Sequence, residues 1–164
     1  MPETAAFLAQ RLTSEGQKTI AFFDSLSDVQ WQSTIYTEGA TWSIRNVLAH
    51  FVMAEKSFME LLSNIRDGGP GAPEGFDIDR HNAGQQREAA TLSPQELLEQ
   101  FKTTRAGMAA WVADLSAADL EKRGRHPFLG VITLAEMIKA VYLHNQVHTR
   151  DLRRALPGRI AAKN

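Results

Sequence analysis

The sequence predicts an all-α protein, specifically a four-helix bundle with extra short helices in its connections. Apolar residues recur at three- and four-residue intervals in four long segments, and helix-start signals precede several of them. No segment shows the alternation of apolar and polar residues that is typical of a strand. Because 164 residues with 43% apolar content can fill one core, we expect a single domain over residues 1–164.

The first long helix is predicted over about residues 3–25, although Gly16 weakens its centre because glycine is a poor helix former. Its apolar face contains Phe7, Leu8, Leu12, Ile20 and Phe23. The Ser-Asp-Val-Gln segment at 27–30 has the form of a capping box. It predicts a short helical turn that seats Trp31, followed by a loop around Gly39.

The second long helix is predicted to begin near Thr41 or Ser43 and to continue for about 23 residues. Its apolar face contains Ile44, Val47, Leu48, Phe51, Phe58, Leu61, Leu62 and Ile65. Residues 67–75 include four glycines and two prolines, so we expect a long surface loop there. Residues 79 to about 90 predict a short polar helix.

The third long helix has a clear start, because Ser93 is a capping residue, Pro94 suits the first helical position and Glu96 can bond back to the cap. Its inward face contains Leu97, Leu98, Phe101, Met108, Trp111, Val112 and Leu115. Residues 116–119 predict a one-turn helix after it, and residues 120–130 predict a loop.

The last long helix is predicted to begin at the capping pair Thr133 and Glu136 and to end at Pro157-Gly158. Its apolar face contains Leu134, Met137, Ile138, Val141, Leu152 and Leu156. Four such helices bury their apolar faces most simply against each other. The connections after the second and third long helices are long enough to permit a crossover.

Composition excludes several classes of function. The chain has 18 Lys and Arg against 19 Asp and Glu, so no net field attracts nucleic acid or a membrane, and we expect neither as a partner. Cysteine is absent, so a transition metal would have to bind through histidine or carboxylate. The start of the chain does not resemble a signal peptide and no run of 18 apolar residues occurs, so we expect a cytoplasmic protein.

Three histidines are candidate metal ligands. His144 and His148 are four residues apart on the last helix, and both lie on its apolar face. His50 lies on the apolar face of the second helix, three residues after Val47. An unpaired buried polar group costs roughly 1–3 kcal/mol, and one metal ion would satisfy all three imidazoles. Spacing alone equally allows hydrogen-bonded core histidines, and it leaves open whether His50 approaches the other two.

Other sites find less support. Glu does not stand three residues before any histidine, so a ferritin-like di-iron bundle is excluded, and HExxH, GxGxxG, P-loop and GxSxG motifs are absent. His81 and His126 are expected to be exposed, although either could line the mouth of a pocket. Glu55 is expected to be a surface or interhelix residue rather than a ligand, because it lies about 140° around the helix from His50.

Several short segments carry a resemblance when taken in order. They are TWSIRNVLAH at 41–50 followed by Glu55, Phe23 with Leu26, Ser27 and Trp31, Phe76-Asp77 with Asp79 and Asn82, Ser93-Pro94 with Leu97, Leu98 and Arg105, GVITL at 130–134, and His144-x-x-x-His148. Their succession, over nearly the whole chain, resembles the DinB superfamily. The resemblance implies a four-helix bundle, commonly homodimeric, that holds a divalent ion near one end through His50, His144 and His148.

Three histidine ligands would leave a coordination position for water or substrate, as in catalytic sites, and imidazole suits zinc, nickel or iron, of which we favour zinc or nickel. The resemblance implies a metal-dependent enzyme acting on a small molecule in detoxification or stress response. Such an enzyme would be a hydrolase, or a transferase or isomerase with a low-molecular-weight thiol as co-substrate. The alternative is a non-catalytic, stress-associated dimer in which the metal is structural. No catalytic residue is assigned at this stage.

Asp151 is a visible departure from the family pattern, because Gln often stands three residues after the final histidine in DinB-like chains. Asp151 lies seven residues after His144 and therefore on the same helix face. It could accept a hydrogen bond from a ligand imidazole, which is a common role of a carboxylate near a metal. A solvated Asp151 paired with Arg150 or Arg154 is the plainer alternative.

Overall fold

The computed structural model describes residues 3–37 and 40–156, and four long helices make up most of them. The elements in chain order are α1 (Ala5–Asp24), α2 (Asp28–Trp31), β1 (Thr34–Tyr36), β2 (Trp42–Ser43), α3 (Ile44–Arg66), α4 (Ile78–Glu88), α5 (Pro94–Ala113), α6 (Ala117–Glu121), β3 (Arg123–His126), β4 (Gly130–Thr133) and α7 (Leu134–Ala155). The predicted loop at Gly39 and the predicted helix end at Pro157-Gly158 lie outside the described residues.

The helices begin where the capping residues stand. Complete capping boxes, in which the cap and the third helical residue bond to each other's backbone, precede the short helices α2 and α6 and the long helices α3, α5 and α7. Their cap residues are Ser27, Ser116, Ser43, Ser93 and Thr133. Each box satisfies two donors that a helix start otherwise leaves free. The predicted positions of these starts are confirmed.

The four long helices form a bundle in which helices consecutive in the chain are not always neighbours. Helices α1 and α3 both pack against α5 and α7, so α1 lies diagonally opposite α3 and α5 lies diagonally opposite α7. The chain therefore crosses the bundle twice: between α1 and α3 at the end where α3 begins, and between α5 and α7 at the opposite end, where Lys122 contacts the last residue of α3. The connection after α3, which carries α4, instead joins neighbouring helices. The predicted bundle is confirmed. Of the two connections that were long enough for a crossing, only the one after the third long helix makes one, and the crossing after the first long helix was not predicted.

Each crossing connection contains a two-stranded antiparallel hairpin, which the sequence did not predict. Strand β1 pairs with β2, and β3 pairs with β4. The predicted loop over 120–130 is therefore wrong, because Arg123–His126 is a strand and Gly130 begins its partner. The strands are two to four residues long. At that length no alternation of side chains is visible in sequence, and hydrogen bonding across a tight connection decides the structure.

The predicted apolar faces meet in the core with few exceptions. Leu8, Leu12 and Phe23 of α1 are fully buried, but Phe7 is 45% exposed, so its assignment to the inward face was wrong. Phe7 precedes Leu8 by one residue and is therefore turned about 100° away from it on the helix. Trp111 is half-buried on α5, where the guanidinium of Arg66 lies over its ring.

A buried ion pair joins the helices in the middle of the bundle. The guanidinium of Arg105 donates to the Glu55 carboxylate, to the Asn145 side-chain oxygen and to the Leu12 carbonyl. Glu55 is 1% exposed, so it is the interhelix residue that one of the sequence alternatives described. The close approach of Arg105 also accounts for the glycine at position 16, because a Cβ atom there would lie 2.8 Å from Cγ of Arg105.

Membrane insertion finds no support in the helices: within the described residues, none combines the length and the apolar character that crossing a bilayer requires.

Replacing Arg105 by Ala is expected to lower the free energy of unfolding by about 3–5 kcal/mol, because it leaves the Glu55 carboxylate buried without its cation. Urea unfolding followed by circular dichroism measures the change. The exposed Arg87 provides the control, and Arg87→Ala should stay within about 0.5 kcal/mol of wild type. Gly16→Ala should cost less in the Arg105→Ala background than alone, because the contact with Arg105 is gone. Equal losses for the two arginine variants would contradict the structural role.

Candidate metal centre

Helices α3 and α7 pack together and bring three imidazoles to one place. His50 lies in the second turn of α3, whereas His144 and His148 lie one turn apart, at the middle of α7 and just beyond it. His50 is 7% exposed, and the other two rings are half-buried. The open question from the sequence is answered, since His50 and the pair on α7 converge.

The three side chains meet through equivalent nitrogen atoms. The Nε2 atom of His144 lies 3.0 Å from Nε2 of His50 and 3.1 Å from Nε2 of His148. The ring of His144 is nearly perpendicular to both neighbours, with interplanar angles of 78° and 88°. Aromatic rings surround the cluster: Trp42 is centred 5.2 Å from His50, and Phe51 is centred 5.7 Å from His148.

The electrostatics of the cluster keep its imidazoles neutral. Burial, followed by the neighbouring histidines, lowers the pKa of His50 to about 3 and the pKa of His144 to about 4. Burial also lowers the pKa of His148, and the nearby Asp151 opposes part of this effect. Neutral imidazoles each carry one ring nitrogen with a free lone pair, which is the form that binds a metal ion.

Tyr36 lies against the outer side of His148. Its hydroxyl is 2.8 Å from Nδ1 of His148 and donates to Oδ2 of Asp151 at 2.7 Å. Burial and the Asp151 carboxylate raise the pKa of Tyr36 far above its ordinary value, so the phenol stays protonated. Asp151 is thus close to the cluster, as its helix position suggested, but its hydrogen-bond partner in this contact is Tyr36 rather than an imidazole.

The residues present fit a divalent transition-metal ion. One Nε2–H can donate well to only one neighbour, so hydrogen bonds among three nitrogens this close cannot satisfy all of them. Zinc–nitrogen distances near 2.0–2.1 Å in a tetrahedral arrangement would separate the nitrogens by about 3.3 Å. The two contacts of His144 are slightly shorter, and all three ligand atoms lie within 4.8 Å of one another, so small ring movements would accommodate an ion. Three imidazoles and no carboxylate or thiolate in the set suit zinc, nickel or iron.

The two remaining histidines lie near the cluster without joining it. His81 of α4 approaches Ser57 of α3, with 3.3 Å between its Nε2 atom and the serine oxygen, and both line a cavity of about 650 Å³. His126 is only 9% exposed, so the expectation of an exposed ring was wrong. The reason is the β3–β4 hairpin, in which Nδ1 of His126 accepts the backbone N–H groups of Phe128 and Leu129 and the ring is turned inward against the bundle.

Sequence reasoning missed Tyr36 and Trp42 as neighbours of the histidines. Both lie on the β1–β2 hairpin, which no sequence pattern revealed. Tyr36 is separated from His148 by 112 residues. A polar-tipped aromatic residue close before a predicted helix start was the only available signal, and that signal is common in proteins. Tyr36 and Trp42 reach the histidines because the chain crosses the bundle from α1 to α3, and this path cannot be read from the sequence.

The chain matches a known protein family. A sequence-family model described as the DinB superfamily matches residues 11–152, which confirms the resemblance noted in the sequence. No curated protein matches the chain significantly.

Solved structures share the fold. An uncharacterised protein from Escherichia coli UTI89 superposes with a TM-score of 0.72 and 16% identity, covering 96% of this chain and 95% of its own. YfiT from Bacillus subtilis, described as a probable metal-dependent hydrolase with an unusual four-helix bundle topology, gives 0.73 and 17%, covering 92% and 84%. The colibactin self-resistance protein ClbS, solved in complex with double-stranded DNA, gives 0.72 and 16%, covering 94% and 96%. At these identities the likeness shows the fold alone.

Metal-free protein is expected to lose stability as pH falls from about 6.5 towards 4. The folded-state pKa values of His50 and His144, about 3 and about 4, lie below the ordinary value of 6.5, so the unfolded chain binds more protons in this range. Each such histidine contributes up to about 1.4 kcal/mol per pH unit. Urea unfolding of chelator-treated protein at several pH values measures the slope.

The His50→Gln/His144→Gln double variant is the control for this prediction. It lacks the two cluster histidines whose pKa values are about 3 and about 4, so its free energy of unfolding should depend less steeply on pH than that of the wild type. Carboxylates titrate in both proteins and cancel in the comparison. Two identical slopes would contradict the burial of neutral imidazoles at the cluster.

Proposed function

The chain belongs to the DinB superfamily, and we propose that it is a divalent-metal-dependent enzyme that acts on a small molecule. His50, His144 and His148 are the proposed ligands, and zinc or nickel is the proposed ion, with iron also compatible with imidazole ligands. The observation that carries the proposal is the approach of three Nε2 atoms, with distances of 3.0 and 3.1 Å along two contacts. Hydrogen bonds between neutral imidazoles cannot satisfy all three of these nitrogens at once, whereas a shared cation would.

The proposed chemistry is the activation of a nucleophile. When bound, a divalent ion with a free coordination position lowers the pKa of a water or thiol bound to it. The chain's own residues supply the setting: His50 is held in the bundle by the packing of α3, and the rings of Trp42 and Phe51 limit access of bulk water. Electrostatic interactions are stronger in such a partly desolvated site than in water.

Two reaction classes follow from the same chemistry. An activated water would make the protein a hydrolase, which is the description given to YfiT, a protein with the same fold. An activated low-molecular-weight thiol would make it a transferase or isomerase acting on an electrophile, as the family resemblance implies. In either class, we propose a role in detoxification or stress response. The two classes differ in their co-substrate, so activity with and without added thiol separates them.

A structural role for the metal is the second candidate. His50 and His144 are 94 residues apart in the chain, so an ion shared between them would tie α3 to α7. Metal binding that requires the folded state stabilises that state by mass action. In this alternative, the function would reside in the assembly of the bundle with a partner rather than in turnover.

The proposed partners are a small molecule and a second copy of the chain. The near balance of charges, with a net charge of −1, argues against nucleic acid as the main ligand. ClbS has been solved with double-stranded DNA, so a DNA duplex belongs in any binding comparison as a test of this exclusion.

Protein produced without a histidine tag is expected to bind about one zinc or nickel ion per chain and to turn over a small electrophile or ester in a metal-dependent way. His50→Ala should abolish turnover, because it removes one ligand, while the circular dichroism spectrum should remain that of a helical protein. Elemental analysis gives the stoichiometry, and a substrate screen with and without chelator and added thiol gives the activity.

The matched control is His81→Ala, which removes a histidine outside the cluster. It should retain the metal stoichiometry of the wild type. If chelation only lowers the melting temperature and no substrate is converted, the structural alternative replaces the enzymatic one. If no metal binds after reconstitution with zinc or nickel, both fail.

The homodimer that the family resemblance implies is expected in solution. Sedimentation equilibrium should give about twice the chain mass of 18.2 kDa. The same measurement with chelator shows whether the metal takes part in the assembly. A mass of one chain at all tested concentrations would contradict this expectation.

A further inference from the structure

A chain of two hydrogen bonds connects a carboxylate to the histidine cluster through Tyr36. The Tyr36 hydroxyl lies 2.7 Å from Oδ2 of Asp151 and 2.8 Å from Nδ1 of His148. Its ring also contacts the imidazole of His148 edge-on, with 5.7 Å between ring centres. Asp151 and His148 belong to α7, whereas Tyr36 comes from the β1–β2 hairpin.

The direction of both hydrogen bonds follows from simple proton counting. An ionised carboxylate only accepts, and a neutral phenol has one proton to donate. A hydrogen bond to a charged acceptor is stronger than one between neutral groups, so the phenol proton points to Asp151. The phenol oxygen is then free to accept, and the proton between it and His148 must sit on Nδ1.

This direction determines which nitrogen of His148 faces the cluster with a lone pair. A neutral imidazole with its proton on Nδ1 has its lone pair on Nε2. That Nε2 atom is the one 3.1 Å from Nε2 of His144. The opposite tautomer would place a hydrogen atom where a metal ion has to sit, and it would leave the Tyr36 oxygen facing a lone pair.

We infer that Tyr36 is a positioning residue for the metal site, transmitting the negative charge of Asp151 to His148 and holding that imidazole in its metal-binding tautomer and orientation. This inference rests on the proposed function, because it concerns the same site. It differs from the sequence-based expectation for Asp151, which had the carboxylate accept directly from a ligand imidazole.

The hairpin explains how Tyr36 is held in place. Tyr36 pairs with Trp42 across the β1–β2 hairpin, and β2 leads directly into α3 through the cap residue Ser43. The ring of Trp42 in turn contacts His50, the ligand candidate on α3. One hairpin therefore contacts the cluster on two sides, at His148 through Tyr36 and at His50 through Trp42.

The test compares Tyr36→Phe and Asp151→Asn with matched controls. Tyr36→Phe removes only the hydroxyl, and Asp151→Asn removes only the charge. Each should weaken zinc binding about 10- to 100-fold in a competition with a chromogenic chelator, the range expected when a partner of a ligand histidine is lost. Tyr142→Phe on α7 and Asp114→Asn at the end of α5 serve as controls and should change the affinity less than about twofold.

The double variant Tyr36→Phe/Asp151→Asn separates a relay from two independent effects. If the charge acts through the phenol, the double variant should have about the same zinc affinity as the single variant with the lower affinity. Multiplied losses would show that Asp151 acts on the site without Tyr36 and would overturn the inference. Circular dichroism melting curves of all variants establish that the comparison is made between folded proteins.

Nitrogen-15 NMR of the metal-free protein provides a readout that needs neither metal nor activity. The ring signals of His148, assigned by comparison with His148→Gln, should report a proton on Nδ1 in the wild type and a mixture of tautomers in Tyr36→Phe. The relay is refuted if the wild type carries the proton on Nε2, even if metal binds. Conversely, an Nδ1 proton in a protein that binds no metal would refute the proposed function and leave the hydrogen-bond assignment intact.

Discussion

The burial of three neutral imidazoles between α3 and α7 is the constraint on which the rest of the structure depends. The rings can meet only if both helices present the correct faces at the correct height, so the rotation and the axial position of two sequence-distant helices are coupled. A one-residue shift of either helix would rotate its ligands by about 100° and separate them. The helix caps at Ser43 and Thr133 matter for this reason, because they determine where α3 and α7 begin.

Arg105 of α5 joins α3 and α7 next to the histidine cluster, because its guanidinium bonds to a side chain of each helix. Glu55 follows His50 by five residues on α3, and Asn145 follows His144 by one residue on α7, yet both point to the guanidinium rather than to the cluster. A buried ion pair contributes little net stability compared with apolar packing, but its geometry permits few alternatives. A rotation of α3 that broke the imidazole contacts would also separate Glu55 from Arg105, and such a rotation of α7 would remove Asn145 from the guanidinium. The two sets of contacts therefore favour one arrangement of α3 and α7 over all others.

The sequence predicted what depends on local interactions and missed what depends on the path of the chain. Caps, apolar faces and the inward direction of His50, His144 and His148 are properties of single helices, so spacing was sufficient to find them. The hairpins, the burial of His126 and the position of Tyr36 depend on the two crossings, one at each end of the bundle. Asp151 illustrates both cases. Helical spacing placed it on the face of His144, but its partner Tyr36 comes from a segment without helical periodicity and could not be predicted.

The crossing connections supply aromatic neighbours that no helix provides. The first crossing carries Tyr36 and Trp42, which contact His148 and His50. The second carries His126, which is buried against Phe58 of α3. Rigid helices thus hold the candidate ligands, while connecting segments supply the groups that orient and enclose them, a division of labour common in functional sites. Connections tolerate sequence change better than packed helices, so such a bundle can retain its ligand geometry while the walls around the ion change.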